Sequence, residues 1–116
     1  MINTKPIREP QIEKYLVEQV KAMGGEVRKV KWIGRKKAPD RVLFFPSYVS
    51  ADSRIAIHHV PIWVEVKRPG KKAKFPADAH ERGQHREHER MRGMGQQVEV
   101  IDSFDGVDRL LQEMRL

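Results

Sequence analysis

The 116-residue chain has no cysteine, which excludes disulfides, zinc-cysteine centres, iron-sulfur clusters and thiol nucleophiles. Any metal must be held by Asp, Glu, His or carbonyl oxygen. Long apolar runs are missing too: the longest, Val42 to Phe45, is far below the roughly 18 residues of a membrane span. The opening MINTKPIREP lacks the apolar stretch of a signal peptide. The expectation is a soluble cytoplasmic protein with no membrane partner. No repeat or low-complexity segment is visible, and Pro and Gly are scattered, so residues 1–116 read as one domain.

Basic charge is what the chain has in excess. Twenty-three Lys and Arg against 16 Asp and Glu give a net charge of +7 and a pI near 9.9, the footprint of a nucleic-acid partner. The charge is lopsided. Seven basic residues and one acid, Asp40, lie between Arg28 and Arg41, and five more basic residues with no acid lie between Lys67 and Lys74. From Glu99 onward acids outnumber bases.

The periodicity predicts a helix over 10–23, with Pro10 at its first position and Ile12, Leu16, Val20 and Met23 as its apolar stripe. Glu9 then falls at the cap, and Gly24-Gly25 is the stop. Strands are expected over Glu26–Ile33, although neither face of that segment is cleanly apolar, and over Asp40–Phe45. Ser47 to Val60 reads as an inserted loop or hairpin, Ile62–Lys67 as the clearest strand and 68–76 as a basic loop. A helix over Ala79–Met94, a strand over Gln97–Ile101 and a closing helix capped by Ser103 or Asp102 complete the chain. This order indicates an α/β fold with a central sheet flanked by helices.

Strand periodicity in Trp63-Val64-Glu65-Val66-Lys67 puts Glu65 and Lys67 on one face. An isolated Glu-x-Lys is an ordinary charged pair. Here a second acid, Asp40, opens the preceding strong strand after Pro39. If those strands are neighbours, Asp40 and Glu65 converge on one hard divalent cation, Mg²⁺ or Mn²⁺, with the Val66 carbonyl as an extra ligand. Such a site would polarise a phosphodiester and activate water, with Lys67 orienting that water or offsetting developing charge. Arg35, Lys36 and Lys37 precede Asp40, Arg41 follows it, and Arg68, Lys71, Lys72 and Lys74 follow Lys67. These residues are the candidate DNA-binding set, and no base-reading element accompanies them.

Pro39-Asp40 followed by Glu65-Val66-Lys67 resembles the signature of the PD-(D/E)xK nuclease superfamily. The whole chain resembles its virus-type replication-repair nuclease (VRR-NUC) branch, stand-alone phage or bacterial type. The likeness includes Glu9-x-x-Ile12-Glu13-x-Tyr15-Leu16-Val17, Gly24-Gly25, Pro39-Asp40-Arg41, Val64-Glu65-Val66-Lys67, Gln84 with His88, Gly95 and Val100-Ile101-Asp102-Ser103. It departs in two places: Lys37-Ala38 stand where the family usually has a glycine, and the interval from Asp40 to Glu65 is long.

The resemblance implies a restriction-endonuclease-like α-β-β-β-α-β core with a C-terminal helix. It implies a metal-dependent endodeoxyribonuclease acting on branched DNA in replication, repair or recombination. It also implies a homodimeric Holliday-junction resolvase, with an acid from the first helix, Glu9 or Glu13, in the metal site. Gln84 is implied as a secondary active-site residue. A flap- or duplex-nicking nuclease and a non-catalytic basic DNA-binding protein on the same fold are the alternative readings.

Overall fold

The structure, a computed structural model, describes residues 6–49 and 56–114. Helix α1 spans Glu9–Ala22 and buries Ile12, Leu16 and Val20, which recur every four residues on one face. It starts one residue earlier than the periodicity suggests. Arg8 is the N-cap, its backbone N–H donating to Gln11 Oε1 at 2.6 Å. Pro10 is therefore the second helical residue, and Glu9 lies in the first turn rather than at the cap. Gly24 ends the helix at φ 80°, a conformation that costs glycine no side-chain clash. At Gly25 a Cβ would lie 2.5 Å from the Phe44 carbonyl oxygen, so this turn meets the sheet only without a side chain.

Strand β1 (Glu26–Lys29) is shorter than expected. The ladder ends when Val30 N–H donates to the Asp40 carbonyl at 2.8 Å. Beyond it, Trp32 donates its indole N–H to the Pro39 carbonyl at 2.8 Å and sets its ring 5.1 Å from that of Trp63. With no apolar face to hold the segment in the sheet, the tryptophan contacts decide its path, and Ile33 is left exposed.

β2 (Arg41–Phe44) is followed by β3 (Tyr48–Val49) and β4 (Ala56–Ile57), which pair with each other outside the main sheet. The insert is therefore a hairpin. Of the expected tip, Ser47 to Arg54, residues 50–54 lie outside the described residues. β5 (Ile62–Val66), a 3-10 turn at Lys72–Lys74, α2 (Ala79–Gly93), β6 (Gln97–Ile101) and α3 (Phe104–Gln112) follow. Of the two candidate caps for α3, Ser103 takes the role, its hydroxyl accepting Gly106 N–H at 2.9 Å.

The main sheet has the order β1-β2-β5-β6, antiparallel except for β5 with β6. A parallel pair needs a crossover, and α2 supplies it. Ile62, Val64 and Val66 face α1 and α3, where Leu16, Val20, Leu110 and Leu111 complete the apolar core. Trp63 and Glu65 therefore face the other layer, which α2 covers. Among the described residues no helix is long and apolar enough to cross a membrane.

Candidate active site

The β2–β5 register pairs Arg41 with Val64 and Val42 with Trp63. One step further along the same register places Asp40 opposite Glu65, on the same face. Lys67 continues the β5 ladder, its N–H donating to the Ile101 carbonyl at 2.8 Å, so its side chain lies on the Glu65 face. Asp40 thus lies just before β2, and Glu65 and Lys67 lie at the end of the neighbouring β5.

Helix α2 fixes the β5 groups. Gln84 Nε2 donates to Glu65 Oε1 at 3.0 Å, while Gln84 Oε1 accepts from Lys67 Nζ at 2.6 Å. One amide therefore bridges the acid and the base. Lys67 Nζ also pairs with Glu81 Oε2 at 3.2 Å and lies 5.4 Å from the centre of the Phe75 ring. Glu81 is only 3% exposed. Its Oε1 accepts the Ala77 N–H at 2.9 Å. That backbone hydrogen bond, followed by the hydrogen bond and charge of Lys67 and the charge of Lys71, holds its carboxyl below the ordinary value despite burial.

His88, fully buried, stacks on Phe75 and brings Nε2 within 3.6 Å of Glu65 Oε1. Neither ring nitrogen has a hydrogen-bond partner.

The two first-helix acids are placed differently. Glu13 pairs with Arg41 at 3.3 Å, and Arg41 also pairs with Asp40 at 3.0 Å. Glu9 lies in the field of the site itself. Its carboxyl is raised, first by partial loss of hydration, then by the negative charge of Glu13, Glu65 and Asp40, with Lys67 opposing. Among the described residues no three His, Asp or Glu side chains stand together closely enough to hold a metal ion.

The basic segments run beside this cluster. Arg35 pairs with Glu87 at 3.3 Å, and Lys37 bonds to His80 Nδ1. Lys71 lies 3.9 Å from Glu81. Lys36, Arg68, Lys72 and Lys74 are exposed. The loop after Lys67 is anchored at Asp102, whose Oδ2 accepts the backbone N–H groups of Gly70 and Lys72 at 3.0 and 3.1 Å.

Glu81 is the residue that sequence reasoning missed, and His88 was seen only as a neighbour of Gln84. The signal was present: Glu81, Gln84, His88 and Met91 recur at three, four and three residues, one helical face. All four are buried.

No family model matches the chain. It is 39% identical over 99 residues to "Putative nuclease p44" of Acyrthosiphon pisum secondary endosymbiont phage 1, covering 85% of this chain and 87% of the relative. A solved structure described as a VRR-NUC domain is 36% identical in sequence and superimposes with a TM-score of 0.65, covering 90% of this chain and 94% of that one. The chain belongs to the VRR-NUC family. Its α-β-β-β-α-β order with a closing helix, once the β3–β4 hairpin is set aside, is the VRR-NUC fold, consistent with a restriction-endonuclease-like core.

Lys37, before the Pro-Asp pair, lies across α2. Its side-chain carbons stand 3.2–3.4 Å from where a Cβ on Gly83 would be. The loop rests on the helix at this glycine.

Proposed function

We propose that this VRR-NUC nuclease is a Mg²⁺- or Mn²⁺-dependent endodeoxyribonuclease that cuts four-way DNA junctions as a homodimer. The observation that supports the reading is the β2–β5 pairing, which ends at Arg41 and Val64 with Asp40 and Glu65 next in line, beside a lysine tethered by Gln84 and Glu81.

The donor set fits a hard divalent cation. Such ions take oxygen ligands and bind through one or two carboxylates with water completing the shell, so three clustered acids are not required. Asp40, Glu65 and the Val66 carbonyl would hold the ion. Glu9 is the first-helix acid favoured to join them, because the charges of Glu65 and Asp40 act on it, whereas Glu13 is taken by Arg41. Loss of hydration, and after it the negative charge of Glu13, Glu65 and Asp40, raise the Glu9 carboxyl, and a bound cation would offset the second of these. When bound, the ion polarises the scissile phosphate and lowers the pKa of bound water.

The chain's own groups do the rest. Lys67 is held on two sides by Glu81 and Gln84, so its ammonium is preorganised to orient the attacking water and offset charge developing on the phosphate. Gln84 fixes one oxygen of Glu65 by donating to it. Basic residues at 35–37 and 68–74 bind backbone phosphates, which favours recognition of DNA shape over base sequence. Two cuts on opposite strands require two sites related by a two-fold axis, hence the dimer.

The test is cleavage of an immobile four-way junction beside matched duplex, flap and single-stranded DNA, with Mg²⁺, with Mn²⁺ and with EDTA, and with Lys67→Ala as the blank. Paired symmetric nicks that vanish with EDTA and in the variant are expected. Preference for flaps or duplex keeps the nuclease and overturns the junction assignment. Binding without cleavage under either metal overturns the catalytic reading.

A further inference from the structure

The outer face of α2 has no part in the site described above, yet it is the most regular array of positive charge in the molecule. Arg82, Arg86 and Arg90 recur every four residues and are all exposed, so they form one row along the helix. Among the described residues none of the three makes an ion pair or a side-chain hydrogen bond. This is not for want of acids nearby. Glu87 and Glu89 line the same groove, but Glu87 is engaged by Arg35 and Glu89 by Arg92 at 2.6 Å. Both glutamates are engaged elsewhere, and the row is left with its charge.

A second observation ties this row to the basic loop. Gly83 sits inside α2, where glycine costs about 1 kcal/mol relative to alanine. Its missing side chain is the space that the Lys37 stem occupies. Lys37, Gly83, Arg86 and Arg90 together line one groove of about 670 Å³ between loop and helix. The loop that carries Asp40 and the outer face of α2 thereby form one continuous basic surface.

We infer that Arg82, Arg86 and Arg90, with Lys37, are a phosphate track for the duplex that lies beyond the scissile bond. The track runs along the side of α2 opposite Glu81 and Gln84 and joins the loop that leads to Asp40 through Lys37, which lies over Gly83. From Arg82 to Arg90 it runs ~12 Å along the helix axis, roughly three to four base pairs of duplex. Guanidinium groups suit phosphate oxygens. With no aromatic or apolar anchor in the groove, a nucleic-acid backbone fits it better than a folded protein partner. The inference rests on the nuclease reading and adds to it the side of the cut on which the enzyme grips its substrate.

The experiment measures binding of a fluorescent duplex of about 30 base pairs, and of a four-way junction, by anisotropy in EDTA across a salt series. The triple variant Arg82→Gln/Arg86→Gln/Arg90→Gln is compared with wild type, with the charge-preserving triple Lys variant, and with Arg109→Gln on α3. Each lost phosphate contact flattens the dependence of log K on log salt by about 0.9. The Gln variant is therefore expected to be shallower by about 2–3 and about ten-fold or more weaker at moderate salt. The Lys variant should keep the wild-type slope, and Arg109→Gln should not change it. In Mn²⁺, KM should rise with kcat unchanged, since none of the three touches the reacting groups. Wild-type binding with an unchanged slope in the Gln variant overturns the track alone. Failure of wild type to bind DNA at any salt overturns the nuclease reading with it.

Discussion

Lys67 Nζ and Glu81 Oε2 form an ion pair at 3.2 Å across the gap between β5 and the first turn of α2, with the acid almost wholly buried. An exposed pair of this kind contributes little. This one differs because the Ala77 amide secures the second carboxylate oxygen, so the acid has one position and the ammonium follows it. The start of α2 is itself held by Asp78, whose side chain accepts Glu81 N–H at 2.8 Å. The lysine is thus placed by a helix cap as much as by its own strand.

Glu81→Gln keeps the size and removes the charge. The expected cost is about 1.5–3 kcal/mol of stability, the range for hydrogen bonds to charged groups, together with slower cleavage and unchanged DNA binding in EDTA. Because the folded-state carboxyl lies below its ordinary 4.5, Glu81 contributes stability that is present above that value and lost as pH falls through the lower folded one. Thermal melts from neutral pH into this acid range should fall more steeply for wild type than for the variant. Parallel curves would remove the pair from the stability account.

Gln84→Ala breaks both hydrogen bonds of the bridging amide. Loss of such outer-shell partners typically lowers metal affinity or activity about 10–100-fold, and kcat is expected to fall within that range. Gln84→Glu should be at least as damaging, because its oxygen would face Glu65 where an N–H now donates at 3.0 Å. Steady-state cleavage of one fixed substrate by both variants decides this.

Glu9 and Glu13 are separated by stability in the absence of metal. The Glu9 carboxyl is raised in the folded state, so the stability it contributes is present below its ordinary pKa and lost as pH rises through the folded value. At neutral pH without metal, Glu9→Gln should therefore raise Tm, and in Mn²⁺ it should lower cleavage and metal affinity. Glu13→Gln removes the partner of Arg41 and is expected to spare metal affinity. Calorimetric titration with Mn²⁺ is the check, and a larger loss for Glu13→Gln would reverse the assignment.

Gly25→Ala tests the turn that docks α1 on the sheet. The added carbon would meet the Phe44 carbonyl at 2.5 Å and Val20 Cγ1 at 2.9 Å. Backbone cannot swing aside as a flexible side chain does, so a loss of about 2–3 kcal/mol is expected. Denaturant unfolding measures it, and a neutral outcome would mean that the α1–β1 turn is less tightly packed than described.

The sequence by itself determined the face of each strongly patterned element. The alternation in Ile62–Val66 assigns Glu65 and Lys67 to one side, and the four-residue recurrence of Ile12, Leu16 and Val20 assigns the core side of α1. Only short-range periodicity is needed for either. What the tertiary structure decided concerns groups whose partners are remote in the chain and whose own pattern is ambiguous. β1 stops at Lys29 because Trp32 finds Pro39 and Trp63, contacts that the mixed alternation of Glu26–Ile33 does not encode. Glu81 looked like one more charge on a strongly polar helix, and became the buried partner of Lys67 only when the crossover from β5 to β6 laid α2 over that face. Asp40 and Glu65 were candidates on their residue types, but their apposition is a property of antiparallel register, which fixes pairs across strands and is invisible along either one.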